Sequence, residues 1–344
     1  MEDKKFSLTG VGVILSIMSL LFLTGVYVFT QPQQQESVNR PEVLGATEDR
    51  DHPEKGETDR YQTDDPAFAE IVNNLPLVEA DETSNTFIIL GGTRIGNQTQ
   101  YEVAKAITEY CRENGCTAVF HTGNILAKEG IESIGDPKFE TRFETPYQKL
   151  NMPFYMSLGS HDYWGCVDCL VDYSEQSEKW ELPAKYYTAT FPEVNFYVTD
   201  SQDFGQTAEQ ESWLIQQIEN NSESDAWDVV IGHKALITFD EVRNGENWKG
   251  EEEMQEIVCD SADLYVSGTS FILEYFDQIS ENCPTGQISS GSGGVTPRKI
   301  MEDSTATFGE SVNGFVAMKV SGEQIDLEFV NKDGQVIATE TRTK

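Results

Sequence analysis

The chain has 344 residues, enough for one large domain or two small ones. Its 24 Lys and Arg stand against 59 Asp and Glu, a formal net charge of −35. That excess argues against nucleic acid as a partner, because phosphate backbones need cationic neutralisation, and it repels anionic surfaces and substrates except where a local cation draws them in.

Residues 1–5 end in Lys4 and Lys5, and residues 6–30 carry no charge and are rich in Leu, Val, Ile, Phe and Gly. The run exceeds the ~20 residues that a helix needs to cross a bilayer. No small-x-small cleavage site follows it, so it reads as an uncleaved transmembrane signal-anchor. The flanking lysines place residues 1–5 in the cytoplasm and the rest outside, as a single-pass cell-membrane protein. Residues 31–84 are polar, acidic and poor in aliphatics, which predicts a disordered tether. A short helix at Pro66 to Asn74 within it is expected to dock on the domain.

The folded domain is expected over residues 85–344. "TFIIL" from Thr86 reads as a buried strand that ends in "GGTRIGNQ". Val103, Ala104, Ile107 and Cys111 repeat at helical spacing and predict a helix from Gln100 to Asn114. "CTAVFHTG" is a strand, "FETRFETPYQKL" a helix and "PFYMSLG" a strand, giving β-α-β-α-β order and hence an α/β fold. Strands follow at Tyr186–Thr190 and Asn195–Thr199, then the helix "AEQESWLIQQIEN", then strands in "WDVVIGH" and "ADLYVSG". "GQISSGSGG", "GFVAMKVSG" and "QIDLEFVNKDGQVIATE" alternate and turn at Gly, which predicts antiparallel β. The six cysteines, Cys111, Cys116, Cys166, Cys169, Cys259 and Cys283, fall as local pairs. An oxidising compartment favours disulfides among them, and spacing alone leaves the connectivity open.

The strands close in Gly-containing loops: "LGGTR", "HTGN", "LGSHDY", "IGH" and "VSGT". In open α/β folds, sites lie beyond the carboxyl ends of the strands. Arg94, Asn124, Ser160, His161, Asp162, His233 and Thr269 fall there and are the candidate site residues. Ser160-His161-Asp162 is not a triad, because neighbours on one loop do not line up hydroxyl, imidazole and carboxylate in sequence.

From about Thr86 to the C-terminus the chain resembles the purple acid phosphatases of the tartrate-resistant type, within the calcineurin-like metallophosphoesterases. The segments that carry the resemblance include "DPKFETRFETPYQKLNMPFYMSLGSHDYWG", "VVIGHKALIT" and "LYVSGTSFILEYF". It implies a metallophosphoesterase-like four-layer sandwich of two mixed β-sheets flanked by helices. It also implies loops that hold two metal ions. Carried over position by position, the ligands are largely missing. Gly92 stands for the first Asp, Gly123 for the bridging Asp, Leu126 for the Tyr, Ser160 for the Asn, and Thr269 and Phe271 for two histidines. Of the seven ligand positions only His233 is retained. His161, which in the family contacts substrate, is kept as well. Two close cations need a carboxylate between them, and glycine has none to offer.

The resemblance therefore implies a degenerate metal site with no metal expected, and a pseudoenzyme that acts by binding a small anionic ligand or a cell-surface protein. Arg94, with His161 and His233, is the expected anion grip. The alternatives are an active phosphoesterase with an atypical or relocated site, holding a divalent or ferric metal such as iron or zinc, and a structural cell-surface module. A relocated zinc centre would draw on His161, His233, Cys166 and Cys169. Restoring the lost ligands together is expected to recover metal binding if the scaffold around them is intact.

Overall fold

Two sheets, whose inner strands are buried throughout, build the molecule. The structure is a computed structural model that describes residues 63–221 and 224–344, with the backbone of residues 27–29. One sheet has seven strands in the order Val336–Thr343, Gln324–Asn331, Gly314–Ser321, Thr86–Leu90, Ala118–His121, Phe154–Met156 and Trp180–Glu181. Its last four run parallel to one another and the first three form an antiparallel meander. The second sheet has eight, from Tyr27–Phe29 through Tyr187–Thr190, Val194–Val198, Trp227–Ile231, Leu264–Ser267, Gly286–Ser290 and Leu273–Phe276 to Phe308–Glu310. Both sheets are mixed, as expected.

The sheets meet through aromatic rings. Phe196 stacks on Phe120 at 3.9 Å and meets Phe87 edge-on at 5.0 Å. Such pairs add about 0.5–1.5 kcal/mol each beyond the area they bury. The helix Gln98–Asn114 covers the first sheet with Val103, Ala104 and Ile107 fully buried. Asn97 starts it, its side chain accepting the Gln100 N–H, which satisfies one of the free donors of a helix N-terminus.

Several expectations change. "GQISS" is not antiparallel to everything around it: Gly286–Ser290 runs parallel to Leu264–Ser267 and antiparallel to Leu273–Phe276. All five of its residues are buried, so it is an interior strand without the alternation of a half-exposed one. "FETRFETPYQKL" holds only a short helical segment, Glu140–Glu144, before a strand at Leu150–Asn151. A helix that the sequence did not announce spans Glu251–Ser261. Only Met254 and Val258 of it are buried, too few for an apolar stripe, while Glu251 to Glu253 suit the positive end of its dipole. Three disulfides form, Cys111–Cys116, Cys166–Cys169 and Cys259–Cys283.

The tail 1–5 and most of the expected anchor 6–30 lie outside the described residues. Within that segment Tyr27–Phe29 is extended and pairs antiparallel with Tyr187–Thr190. Among the described residues no helix is long and apolar enough to cross a membrane. The expected tether does not extend to residue 84, because residues 63–84 are folded onto the domain. Residues 66–73 are helical and Val78–Glu79 pairs with Leu150–Asn151. Arg142 fastens the start of this segment. Its Nε and Nη2 clasp the two Asp64 oxygens at 2.9 and 2.6 Å, and its Nη1 donates to the carbonyls of Arg94 and Leu126, both at 2.8 Å. Charged partners hold Asp64 below the usual carboxylate range despite partial burial.

Replacing Arg142 with Ala takes this donor from two buried carbonyls and leaves the Asp64 carboxylate with the Thr141 hydroxyl in place of the clasp. At ~1–3 kcal/mol per stranded group, the variant should melt well below wild type. Limited proteolysis should then cut first between residues 63 and 80; a variant that melts with wild type would show that this clasp adds nothing.

Candidate functional site

The parallel strands aim their carboxyl ends at one place. Leu90, His121 and Met156 end strands of the first sheet, and Ile231 and Ser267 end strands of the second. The loops that follow bring Gly92, Gly123, Ser160, His233 and Thr269 to the same edge of the sandwich.

Asp162 organises this edge. Its carboxylate accepts the backbone N–H groups of Gly159 at 2.8 Å, Asn124 at 2.9 Å and Ile125 at 3.0 Å. Burial pushes its pKa up to about 6, against the pull of those donors and of Arg94. Asn124, with a left-handed φ of 57°, accepts the His161 N–H through Oδ1 at 2.9 Å. The His161 ring donates Nδ1–H to the Lys128 carbonyl at 2.6 Å and meets Trp164 edge-on at 4.5 Å. These side chains hold loops, and none of them lines the cavity described below.

His233 is fully buried. A carbonyl can only accept, so the 2.8 Å contact with Thr122 O fixes the proton on Nδ1. Burial pushes the pKa down to about 3, helped by the nearby charges of Arg243, His161 and Lys234. Its Nε2 has no hydrogen-bond partner among the described residues. His121, which the sequence reading passed over, is a second buried neutral imidazole. Burial lowers its pKa to about 3, its Nδ1 accepts the Gly123 N–H, and its Nε2 meets Thr93 Oγ1 at 2.9 Å. Nothing in "FHTG" distinguishes it from an ordinary strand histidine.

Arg94 is not on the surface. It is buried, with its guanidinium 5.0 Å from the centroid of the Phe271 ring. Arg298 lies over the same ring at 4.0 Å and pairs with buried Asp240 at 3.5 Å. The Phe271 N–H also donates to Asp240, at 3.0 Å. The expected grip of Arg94 with His161 and His233 is therefore not assembled: Arg94 is spent on Phe271 and on the field of Asp162.

A cavity of about 240 Å³ opens at this edge. Ser160, His233, Lys234, Arg243, Trp248 and Thr269 line it. Three of the expected residues are thus present, but the cations are Lys234 and Arg243. The loop that supplies Arg243 and Trp248 carries no motif, which is why the sequence did not point to it. Thr238, also in the wall, donates to Glu274 Oε2 at 2.9 Å, and the Phe239 N–H donates to Glu274 Oε1 at 3.1 Å. Glu274 is fully buried, and that burial with the charge of Asp240 raises its pKa to about 7.

A double mixed sheet with its loops gathered at one edge is the architecture of the metallophosphoesterase class. The chain belongs to the calcineurin-like phosphoesterases, whose family model matches residues 95–268, about half of its length. It is similar to purple acid phosphatase 4 of Arabidopsis thaliana, 25% identical over 279 residues, which are 73% of this chain and 81% of that protein. It is similar too to tartrate-resistant acid phosphatase type 5 of Mus musculus, 22% identical over 269 residues, 67% of this chain and 80% of that one. Among solved structures, GAP50, the anchor in the inner membrane complex of Plasmodium, shares the fold with a TM-score of 0.65 at 20% identity, over 75% of this chain and 88% of that chain. Purple acid phosphatase PPD1 of yellow lupin gives 0.60 at 17% identity, over 75% and 53%.

The residues present do not fit the dinuclear centre of that family. Gly92 has φ +66°, and a Cβ there would lie 2.0 Å from the Gly291 carbonyl oxygen. Gly123 has φ +92°, and its Cβ would lie 2.7 Å from the Gly159 nitrogen and 2.8 Å from His233 Nδ1. Both φ values belong to glycine, since a side chain there costs about 1–2 kcal/mol before any clash. The scaffold is not intact around the lost ligands: backbone fills the space that the two carboxylates would need, so restoring them is not a repair. Among the described residues no three His, Cys, Asp or Glu side chains are placed to hold a metal ion. Cys166 and Cys169 are joined to each other, which removes them as thiolate ligands for a relocated zinc centre.

The raised pKa of Glu274 gives a pH test. Unfolded, the group titrates near 4.3; folded, near 7. Its ionisation costs the fold stability that is fully lost above pH 7 and fully recovered below pH 4. The difference corresponds to about 4 kcal/mol. Glu274→Gln should therefore raise the melting temperature relative to wild type more at pH 8 than at pH 5, and a gap that does not change with pH would count against a protonated buried carboxyl.

Proposed function

We propose that this is a membrane-anchored, extracytoplasmic, purple-acid-phosphatase-like protein that has given up dinuclear hydrolysis and acts by binding a small anionic ligand in the cavity at the strand ends. The observation that carries the reading is the pair of glycines at positions 92 and 123, where backbone and a histidine ring leave no room for a carboxylate. With no bridging carboxylate, nothing lowers the pKa of an attacking water or steadies the phosphoryl oxygens in the way the family requires. The likeness to a protein described as the anchor in an inner membrane complex supports a role at a membrane. On sequence, residues 6–26 alone still supply the ~20 uncharged residues of a spanning helix, ahead of the strand at Tyr27–Phe29.

The protein loaded with iron, zinc or manganese should hydrolyse p-nitrophenyl phosphate no faster than its His233→Ala variant. Metal-dependent turnover that this substitution abolishes would overturn the reading in favour of an active phosphoesterase with ligands outside the family loops.

Protease added to intact cells should release the domain and leave a small membrane-bound stub. Full protection of the domain would refute the assigned orientation.

A further inference from the structure

The sequence holds two Asn-x-Ser/Thr tripeptides, Asn97-Gln98-Thr99 and Asn220-Asn221-Ser222. This is the acceptor pattern for an N-linked oligosaccharide, a bulky hydrophilic group carried on the surface of secreted proteins. The disulfides Cys111–Cys116, Cys166–Cys169 and Cys259–Cys283 suit the oxidising compartment in which that chemistry takes place. The fold treats the two asparagines in opposite ways.

Asn97 is buried, with 3% of its surface exposed. Its Oδ1 accepts the Gln100 N–H at 3.0 Å to start the helix Gln98–Asn114, and its Nδ2 donates to the Gly294 carbonyl at 2.9 Å. An oligosaccharide on that nitrogen would have to fit between the helix start and the loop at Gly294. A chain modified there cannot close these contacts, so the folded protein carries Asn97 bare.

Asn220 is exposed, in the last turn of the helix Ala208–Asn221. Its neighbour Asn221 is the one tied to the fold, its Nδ2 donating to the Gln217 carbonyl at 3.0 Å and the Tyr197 hydroxyl at 3.1 Å. Asn221 is not an acceptor, because Glu223 stands two residues on. The helix joins two parallel strands, Val194–Val198 and Trp227–Ile231. It therefore returns from the carboxyl ends of the strands to their amino ends, and Asn220 stands at the edge opposite the cavity. A bulky group there leaves the cavity open.

We propose that Asn220 is an N-glycosylation site and that Asn97 is not. The transfer joins Asn220 Nδ2 to the anomeric carbon of an oligosaccharide carried on a polyisoprenyl diphosphate. The anomeric C–O bond breaks, the lipid diphosphate leaves with the bonding pair, and Nδ2 gives up one proton. This rests on the extracytoplasmic placement proposed above and adds a covalent modification to it.

The test uses the full chain expressed in cultured mammalian cells, recovered from membranes and treated with peptide-N-glycosidase. Its gel mobility should rise by one step, and peptide mass spectrometry should find Asn220 converted to Asp and Asn97 unchanged. Asn220→Gln and Ser222→Ala should each abolish the step. Thr99→Val removes the other acceptor while keeping Asn97, and should leave the step as it is. Gly56→Asn, which completes an acceptor with Thr58 ahead of the domain, should add a second step. A wild-type chain without a step, beside a Gly56→Asn chain that shows one, would overturn the Asn220 assignment while leaving the placement standing. No step in either chain would overturn both. A step that survives Asn220→Gln, or a sugar found on Asn97 of the folded protein, would overturn the assignment as well.

Discussion

A single buried carboxylate, Asp162, holds the functional edge together. Three backbone N–H groups from two different loops converge on it. Charge-assisted bonds of this kind are about twice as strong as neutral ones, and each would otherwise be a stranded donor. Ser160, His161, Asn124 and the turn at Gly123 all take their positions from this contact. A loop pair that the family ties with metal ions is here tied by hydrogen bonds from the backbone, so the edge keeps its shape through the chain's own groups.

The same principle explains the arginines. Phe271 occupies a position where the resemblance expects a metal-binding histidine, and its ring carries Arg94 on one contact and Arg298 on another. A guanidinium over an aromatic face is worth about 0.5–2 kcal/mol and more when desolvated. Arg94 also supplies positive charge near Asp162. Cation and carboxylate remain in balance, which avoids an uncompensated buried charge. Arg142 extends the arrangement outward, because it binds the Arg94 and Leu126 carbonyls with one nitrogen and Asp64 with the other two. The segment near residue 64 is thus ordered by the same network that shapes the site.

Much of this was legible in the sequence. The apolar runs at Thr86, Ala118, Phe154, Trp227 and Leu264 are strands, and the glycines after them mark the functional edge. The missing ligands could be read directly, since ligand chemistry resides in residue type. What could not be read was direction and depth. Arg94 was expected to face a ligand and instead lies against Phe271, because a side chain two residues past a tight turn can point either way. Glu274, in an apolar run, gives no sign that Thr238 and Phe239 will satisfy it. The Glu251–Ser261 helix buries two residues and leaves no periodic signal. The cavity's cations come from a loop between elements, where position is set by tertiary packing and not by local pattern.

The glycines at 92 and 123 also bear on how such a protein can change. In an enzyme that has merely lost its metals, single reversions would each find an open place to land. Here main chain stands in that place, so a first aspartate at either position meets it before any second ligand could make it useful. A one-step path back through either aspartate runs downhill in stability first. Substitutions at Ser160, Arg243 or Trp248 face no such wall, because they border open volume. Change at this edge is therefore freer at the cavity wall than at the two glycines.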